Sequence, residues 1–122
     1  MALTYYNRMR VPVFWAVLFA AYGLAIMPAE SAPSLGAGDK VNHIAAFAVL
    51  TALGRAAYRK YPAWRLAVGL SMFGMLIELT QAIPILGRDA SIWDWVADSA
   101  AILVVLAIVL CAEKRPAHQP KA

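Results

Sequence analysis

Residues 92–112 read IWDWVADSAAILVVLAIVLCA, and the only charged side chains in this run are Asp94 and Asp98. At about 1.5 Å of rise per residue, a helix of this length crosses about 30 Å of hydrocarbon. Because lipid offers no water to the backbone, such a segment has to satisfy its polar groups within a helix. The run therefore predicts a transmembrane helix with two acids in its first turns.

Three further apolar stretches precede this run, at 11–28, 41–58 and 64–83. Of the 122 residues, 62% are hydrophobic and 15% charged, whereas a soluble domain has about 45–50% and about 25%. A chain this small buries too little surface to hide that excess. Short connections favour antiparallel neighbours. The sequence predicts one all-α integral membrane domain over 1–122, a four-transmembrane-helix up-down bundle. A cleaved signal peptide is the alternative for the first stretch, but the run is long for one.

The Lys and Arg residues divide unevenly between the two ends of that bundle. Only Lys40 and Arg88 fall at one end. The other nine fall at the end that carries both termini: Arg8, Arg10, Arg55, Arg59, Lys60, Arg65, Lys114, Arg115 and Lys121. Cytoplasmic loops carry the excess of Lys and Arg, so both termini are predicted to be cytoplasmic. The net charge of +4 is split among separate segments, which argues against a nucleic-acid partner.

Most of the acids lie at the opposite, outer end. Glu113 alone is at the cytoplasmic end, and the remaining six are Glu30, Asp39, Glu78, Asp89, Asp94 and Asp98. Topology does not require this, because Asp and Glu contribute little to orientation. Spacings of three or four residues place polar side chains on shared helix faces. The pairs are Asp39 with His43, Glu78 with Gln81, and Asp94 with Asp98.

These polar side chains are the candidate functional cluster, because ionisable groups inside a membrane are costly and usually serve a function. The predicted set is Asp39, Lys40, His43, Glu78, Gln81, Arg88, Asp94 and Asp98. Each also has a structural interpretation: His43 as a hydrogen-bonded helix orienter, Glu78 and Gln81 as interhelical bonds, and Arg88 as a counter-ion. No cofactor is predicted, although a divalent cation is an alternative with candidate ligands Asp39, His43, Glu78, Asp94 and Asp98.

Small and aromatic residues also suggest roles in packing. Gly54, Gly69 and Gly74 are expected to permit close helix contact. Trp93 and Trp95 flank Asp94 and fit an aromatic belt at the membrane interface, with stacking on a sugar as the alternative.

The order of these motifs resembles the VanZ-like family. The resemblance covers 39–101 and rests on Asp39-Lys40-x-x-His43-x-x-x-Phe47, Glu78-x-x-Gln81, Pro84, Arg88, Asp94 and Asp98. It implies a small multi-span protein of the bacterial cytoplasmic membrane and cell envelope, whose namesake raises resistance to the glycopeptide teicoplanin. One departure is that the family often has Asn and then Gly near the start of the last helix. Here Asp98 is followed by Ser, Ala and Ala, so the bare backbone that the Gly would supply is missing.

The sequence leaves three functions open. The leading one is a non-enzymatic envelope protein whose outward cluster recognises or shields a surface or lipid-linked molecule; glycopeptide tolerance is one outcome that the resemblance implies. The alternative is an intramembrane enzyme on a lipid-linked cell-wall intermediate, with His43 or Glu78 as base, Arg88 on a phosphate and the Asp pair on a cation. An ion or proton conduit is disfavoured, because the inner halves of the stretches are almost free of polar residues. Expected partners are membrane lipids, such a ligand, and further copies or a larger membrane protein.

Overall fold

The computed structural model describes residues 2–27, 39–87 and 91–114. Within these ranges the chain is helical, with a one-turn 3₁₀ helix at Pro84–Leu86 between the last two helices. The four long helices are α1 (Ala2–Ile26), α2 (Asp39–Ala57), α3 (Ala63–Gln81) and α4 (Ile92–Lys114). The prediction of an all-α fold with four helices is confirmed.

The helix boundaries follow the apolar stretches closely except at the N-terminus. The last three helices begin and end within two residues of the predicted 41–58, 64–83 and 92–112. The first helix begins at Ala2 rather than at 11, and Pro12 lies inside it. Hydropathy falls at Arg8 and Arg10, but charged residues do not end a helix. A proline inside a helix removes one backbone donor and disfavours the helix there, yet α1 continues through Pro12 and extends beyond the apolar run.

Three of the four helices are long and apolar enough to cross a membrane. Their qualifying segments are Asn7–Ile26, Ala63–Gln81 and Ile92–Lys114. The second helix is counted only as a shorter apolar helix, Val41–Ala57, since the side chains of Asp39 and Lys40 lie outside the described residues. Four spans were predicted; α2 has 19 residues, as many as α3, and its membrane span stays a prediction.

Side-chain contacts at one end show that α1 and α2 run antiparallel, whereas α2 and α4 run parallel. At one end the guanidinium of Arg10 donates to the carbonyl of Ala56 over 3.3 Å, and Arg55 forms a forked ion pair with Glu113, with N–O distances of 3.0–3.3 Å. We call this the basic end; its described basic residues are Arg8, Arg10, Arg55, Arg59, Lys60, Arg65 and Lys114. The opposite end, where α3 leads into α4, is the polar end.

The interior is small, and large apolar side chains cover the outside. Phe47, Leu50 and Ile102 are fully buried where α2, α3 and α4 meet. Gly74 permits this packing, since a Cβ there would lie 3.2 Å from the Phe47 ring. The exposed apolar residues include Phe19, Met72, Trp93, Leu103 and Ile108.

The other two glycines that were expected to permit close packing differ from each other. A Cβ on Gly54 would lie 2.6 Å from Leu66 and 2.9 Å from Phe14, so the expectation of close contact is correct there. A Cβ on Gly69 would meet nothing within 4 Å, so the same expectation is wrong for Gly69. That residue borders open space instead.

Two phenylalanines provide a test of this packing. Phe47 is 1% exposed and Phe19 is 66% exposed. Because lipid is as apolar as the core, only lost packing should count in a membrane. Phe47→Ala is expected to cost at least about 2 kcal/mol, the packing share of the about 3–5 kcal/mol seen for buried Phe. Phe19→Ala should stay within about 0.5 kcal/mol. Unfolding in detergent measures both, and equal losses would contradict the described core.

Candidate functional site

Three helices bring His43, Glu78 and Asp98 together at the polar end. His43 lies in the second turn of α2, Glu78 in the last turn of α3 and Asp98 in the second turn of α4. One nitrogen or oxygen from each side chain lies within 4.8 Å of the other two. We call these three side chains the triad. Sequence spacing predicted each of them at this depth, and the fold brings them together.

The triad is buried, yet several of its polar atoms have no hydrogen-bond partner. Asp98 is 1% exposed and Glu78 is 6% exposed. Both carboxylate oxygens of Asp98, Oε1 of Glu78 and Nδ1 of His43 lack a hydrogen bond within the described structure. Buried polar groups in proteins are nearly always hydrogen-bonded, so four unpaired atoms at one point require an explanation.

An ion pair between His43 and Asp98 satisfies part of this demand. Nδ1 of His43 lies 3.7 Å from Oδ2 of Asp98, which is close enough for charge attraction but too long for a hydrogen bond. On the other side of the ring, Nε2 of His43 is 3.4 Å from the amide nitrogen of Gln81. The same amide nitrogen donates to the Ala25 carbonyl over 2.9 Å. Gln81 therefore links the imidazole to α1 and limits rotation of the ring.

Glu78 is held from the start of α4. Its Oε2 accepts a hydrogen bond from the backbone N–H of Ser91 over 3.0 Å. Ser91 also caps α4, because its hydroxyl accepts the N–H of Trp93 over 3.2 Å. The Ser-x-x-Asp spacing from Ser91 to Asp94 is a capping signal that sequence reasoning overlooked. With one oxygen held by the backbone, Glu78 presents Oε1 as its unpaired atom.

The charge at the triad favours a cation. Two buried carboxylates exceed what a single imidazolium can neutralise, and an uncompensated buried charge is costly. Carboxylate and imidazole are also ordinary metal ligands. Bonds of about 2.0–2.2 Å hold two ligands of one ion at most about 4.4 Å apart. The triad, spanning up to 4.8 Å, would need to close by a few tenths of an ångström.

The remaining predicted residues divide into two groups. Gln81 belongs to the site through its contact with His43, and Asp94 lies one turn before Asp98, outside the triad. The side chains of Asp39 and Lys40, and all of Arg88, lie outside the described residues. The first helix also makes polar contacts at this end: the Ala25 carbonyl accepts a hydrogen bond from Gln81, and the Tyr22 hydroxyl bonds Thr80 over 3.0 Å.

Comparisons with family models, with curated proteins and with solved structures gave no match to this chain. The resemblance to the VanZ-like family stays a prediction from the motif order. The geometry of the triad is therefore the main basis for a functional proposal.

Proposed function

We propose that this chain is an integral membrane protein whose triad binds a divalent metal cation. The observation that carries the proposal is Asp98, which is 1% exposed and has no hydrogen bond at either carboxylate oxygen, beside Glu78 and His43. Desolvating an ion costs several kcal/mol even after relaxation. A bound cation offsets that cost for both carboxylates and explains why the two acids and the imidazole converge.

The distribution of apolar surface supports membrane insertion. Only 6% of the residues in the apolar stretch of α1, and 17% of those in the apolar stretch of α4, are buried within the bundle. Soluble monomers rarely expose contiguous apolar patches larger than a few hundred Å². Lipid, or a protein partner inside the membrane, accounts for that surface. The excess of basic residues at one end supports the predicted orientation, with the termini in the cytoplasm.

The ligand set favours a first-row transition metal such as Mn²⁺ or Zn²⁺. Imidazole suits transition metals, whereas Ca²⁺ and Mg²⁺ prefer oxygen ligands alone. If Nδ1 of His43 bound the metal, Nε2 would carry the ring proton, so the Gln81 amide would have to turn its oxygen toward Nε2 to orient the imidazole, as acceptors beside metal-bound histidines commonly do. The three side chains leave coordination positions for water or for an oxygen of a further ligand.

Those open positions connect the cation to the envelope function that the family resemblance implies. A metal at the outer end would hold a phosphate or carboxylate of a surface or lipid-linked molecule, and glycopeptide tolerance is one phenotype of such binding. The same open positions favour a second candidate, an intramembrane metal-dependent enzyme on a lipid-linked phosphate. Release of phosphate from such a lipid by the purified, metal-loaded protein would favour the enzyme. Binding without turnover would favour recognition.

Cation titration of the purified protein in detergent tests the proposal. Saturable stabilisation by Mn²⁺ or Zn²⁺ is expected, amounting to about 2.7 kcal/mol at a cation concentration one hundred times Kd. Mg²⁺ and Ca²⁺ should act only at higher concentration. Because histidine ligates as the neutral imidazole, affinity should rise from about pH 6 to about pH 8.

Two results would overturn the proposal. One is the absence of any saturable shift with all four cations after the protein has been stripped with a chelator. The other is an equal shift in His43→Ala, which would place the binding elsewhere. Lys60→Gln, at the basic end, serves as the control and should keep the full response.

A further inference from the structure

An apolar groove lies at the basic end, on the face where α1 meets the start of α3. It encloses about 410 Å³, within the range of about 300–1,000 Å³ usual for small-molecule sites. Its apolar surface comes from Phe14, Leu18, Leu66 and Leu70, and the bare backbone of Gly69 keeps one side open. The triad is at the other end of the bundle, so the groove is a separate feature.

The rim of the groove is aromatic and basic. The indole N–H of Trp15 donates to the Tyr58 hydroxyl over 2.6 Å, which leaves the hydroxyl proton of Tyr58 to be donated elsewhere. Arg55 is already occupied, because it pairs with Glu113 and donates to the Tyr61 carbonyl. Arg65 is exposed and has no ion pair within the described ranges. Arg65 is therefore the rim cation that can meet an external anion.

The chemistry of the groove selects an amphiphile with a negative head. An apolar channel suits a hydrocarbon chain, and a guanidinium beside a phenolic donor suits a phosphate. The basic end as a whole has seven described basic residues against Glu113. Anionic lipids of the cytoplasmic leaflet are attracted by about 1 kcal/mol per Lys or Arg near the surface.

We infer that this groove binds one acyl chain of an anionic phospholipid, with the phosphate against Arg65 and Tyr58. The inference rests on the membrane insertion in the proposed function but not on the metal site. The topology rule treats Arg65 and Lys60 alike, as basic charges on the cytoplasmic side, but this inference gives them different roles. The groove gives Arg65 a lipid ligand, while Lys60 contributes general positive charge.

Native mass spectrometry of the detergent-purified protein tests the inference with two lipids and four variants. Phosphatidylglycerol should bind at least about fivefold more tightly than phosphatidylcholine, corresponding to about 1 kcal/mol. Arg65→Gln should remove that preference. Gly69→Leu should reduce binding of both lipids, because its side chain enters the groove without a clash at Cβ.

Matched controls separate these effects from general ones. Lys60→Gln removes one charge outside the groove, and Gly23→Leu adds the same side chain at another glycine with nothing within 4 Å. Both should bind phosphatidylglycerol like the parent chain. Equal binding of the two lipids by the parent would overturn the inference. Full lipid binding by Gly69→Leu would also overturn it. A second copy of the chain in the groove would overturn it as well; the sign of this would be a dimer that added lipid does not dissociate but that Gly69→Leu does dissociate. Cation titration remains independent of these outcomes.

Discussion

Asp98→Asn is expected to abolish the cation-dependent stabilisation of this protein, with affinity falling by at least about 100-fold. Even residues that only support metal ligands cost about 10–100-fold when changed, and Asp98 would supply both a ligand atom and a charge. The variant keeps the shape of the side chain. Thermal unfolding with and without Mn²⁺ or Zn²⁺ measures the loss directly.

The same variant separates a metal site from a purely structural ion pair when no metal is present. In the triad, Asp98 and Glu78 repel each other, so removing one charge from the stripped protein should leave its stability unchanged or higher. If Asp98 serves only to pair with His43, breaking that buried pair should instead cost about 3–5 kcal/mol. A loss of that size in metal-free protein, with no cation response in the parent, would refute the proposed site.

Asp94→Asn is the matched control, because it removes the same charge one turn earlier on α4. Asp94 lies outside the triad, so its variant should still show saturable stabilisation by Mn²⁺ or Zn²⁺. If Asp94→Asn abolished cation binding and Asp98→Asn did not, the cation site would have to lie one helical turn earlier on α4, at Asp94.

Much of the site was predictable from residue spacing and depth. His43, Glu78 and Asp98 stand within two turns of helix ends that short loops bring to the same level. Ionisable residues in apolar segments also tend to face inward. Those two facts are enough to predict a shared polar cluster. The helix count was predictable too, because each apolar stretch is bounded by polar residues, Pro or Gly.

The members of the triad could not be chosen from the sequence. Asp94 and Asp98 share one helix face, and the rotation of α4 that buries Asp98 depends on the packing of Ile102 and Phe47. Likewise, Glu78 accepts a hydrogen bond from the backbone N–H of Ser91, thirteen positions away in the sequence. Spacing rules within a helix say nothing about such contacts.

The groove was hidden for a different reason. Arg55 and Arg65 were interpreted only through the topology rule, which counts basic charges without asking where they point. The structure distinguishes the two arginines. Arg55 forms an ion pair with Glu113, fifty-eight positions later in the sequence, whereas Arg65 stays exposed. A long-range pair of this kind leaves no periodic signal, and neither does the open space beside Gly69.

Orientation in the membrane provides the second large test. Cys111 is the one cysteine of the chain, so a Cys111→Ala background allows single reporters to be placed. Ile85 is 87% exposed at the polar end, and Lys60 is exposed in the turn at the basic end. In intact cells that produce the protein, an impermeant maleimide should label Ile85→Cys and leave Lys60→Cys unlabelled until the membrane is permeabilised.

The reversed pattern would contradict the predicted orientation while leaving the bundle intact, and labelling of both sites in intact cells would contradict a stable insertion. The background protein, without cysteine, controls for reaction at other groups. The outcome also bears on function, because the triad lies near the same end as Ile85. An outward polar end would supply the triad with metal ions from outside the cell, whereas an inward one would supply it from the cytoplasm and place the proposed lipid groove in the outer leaflet.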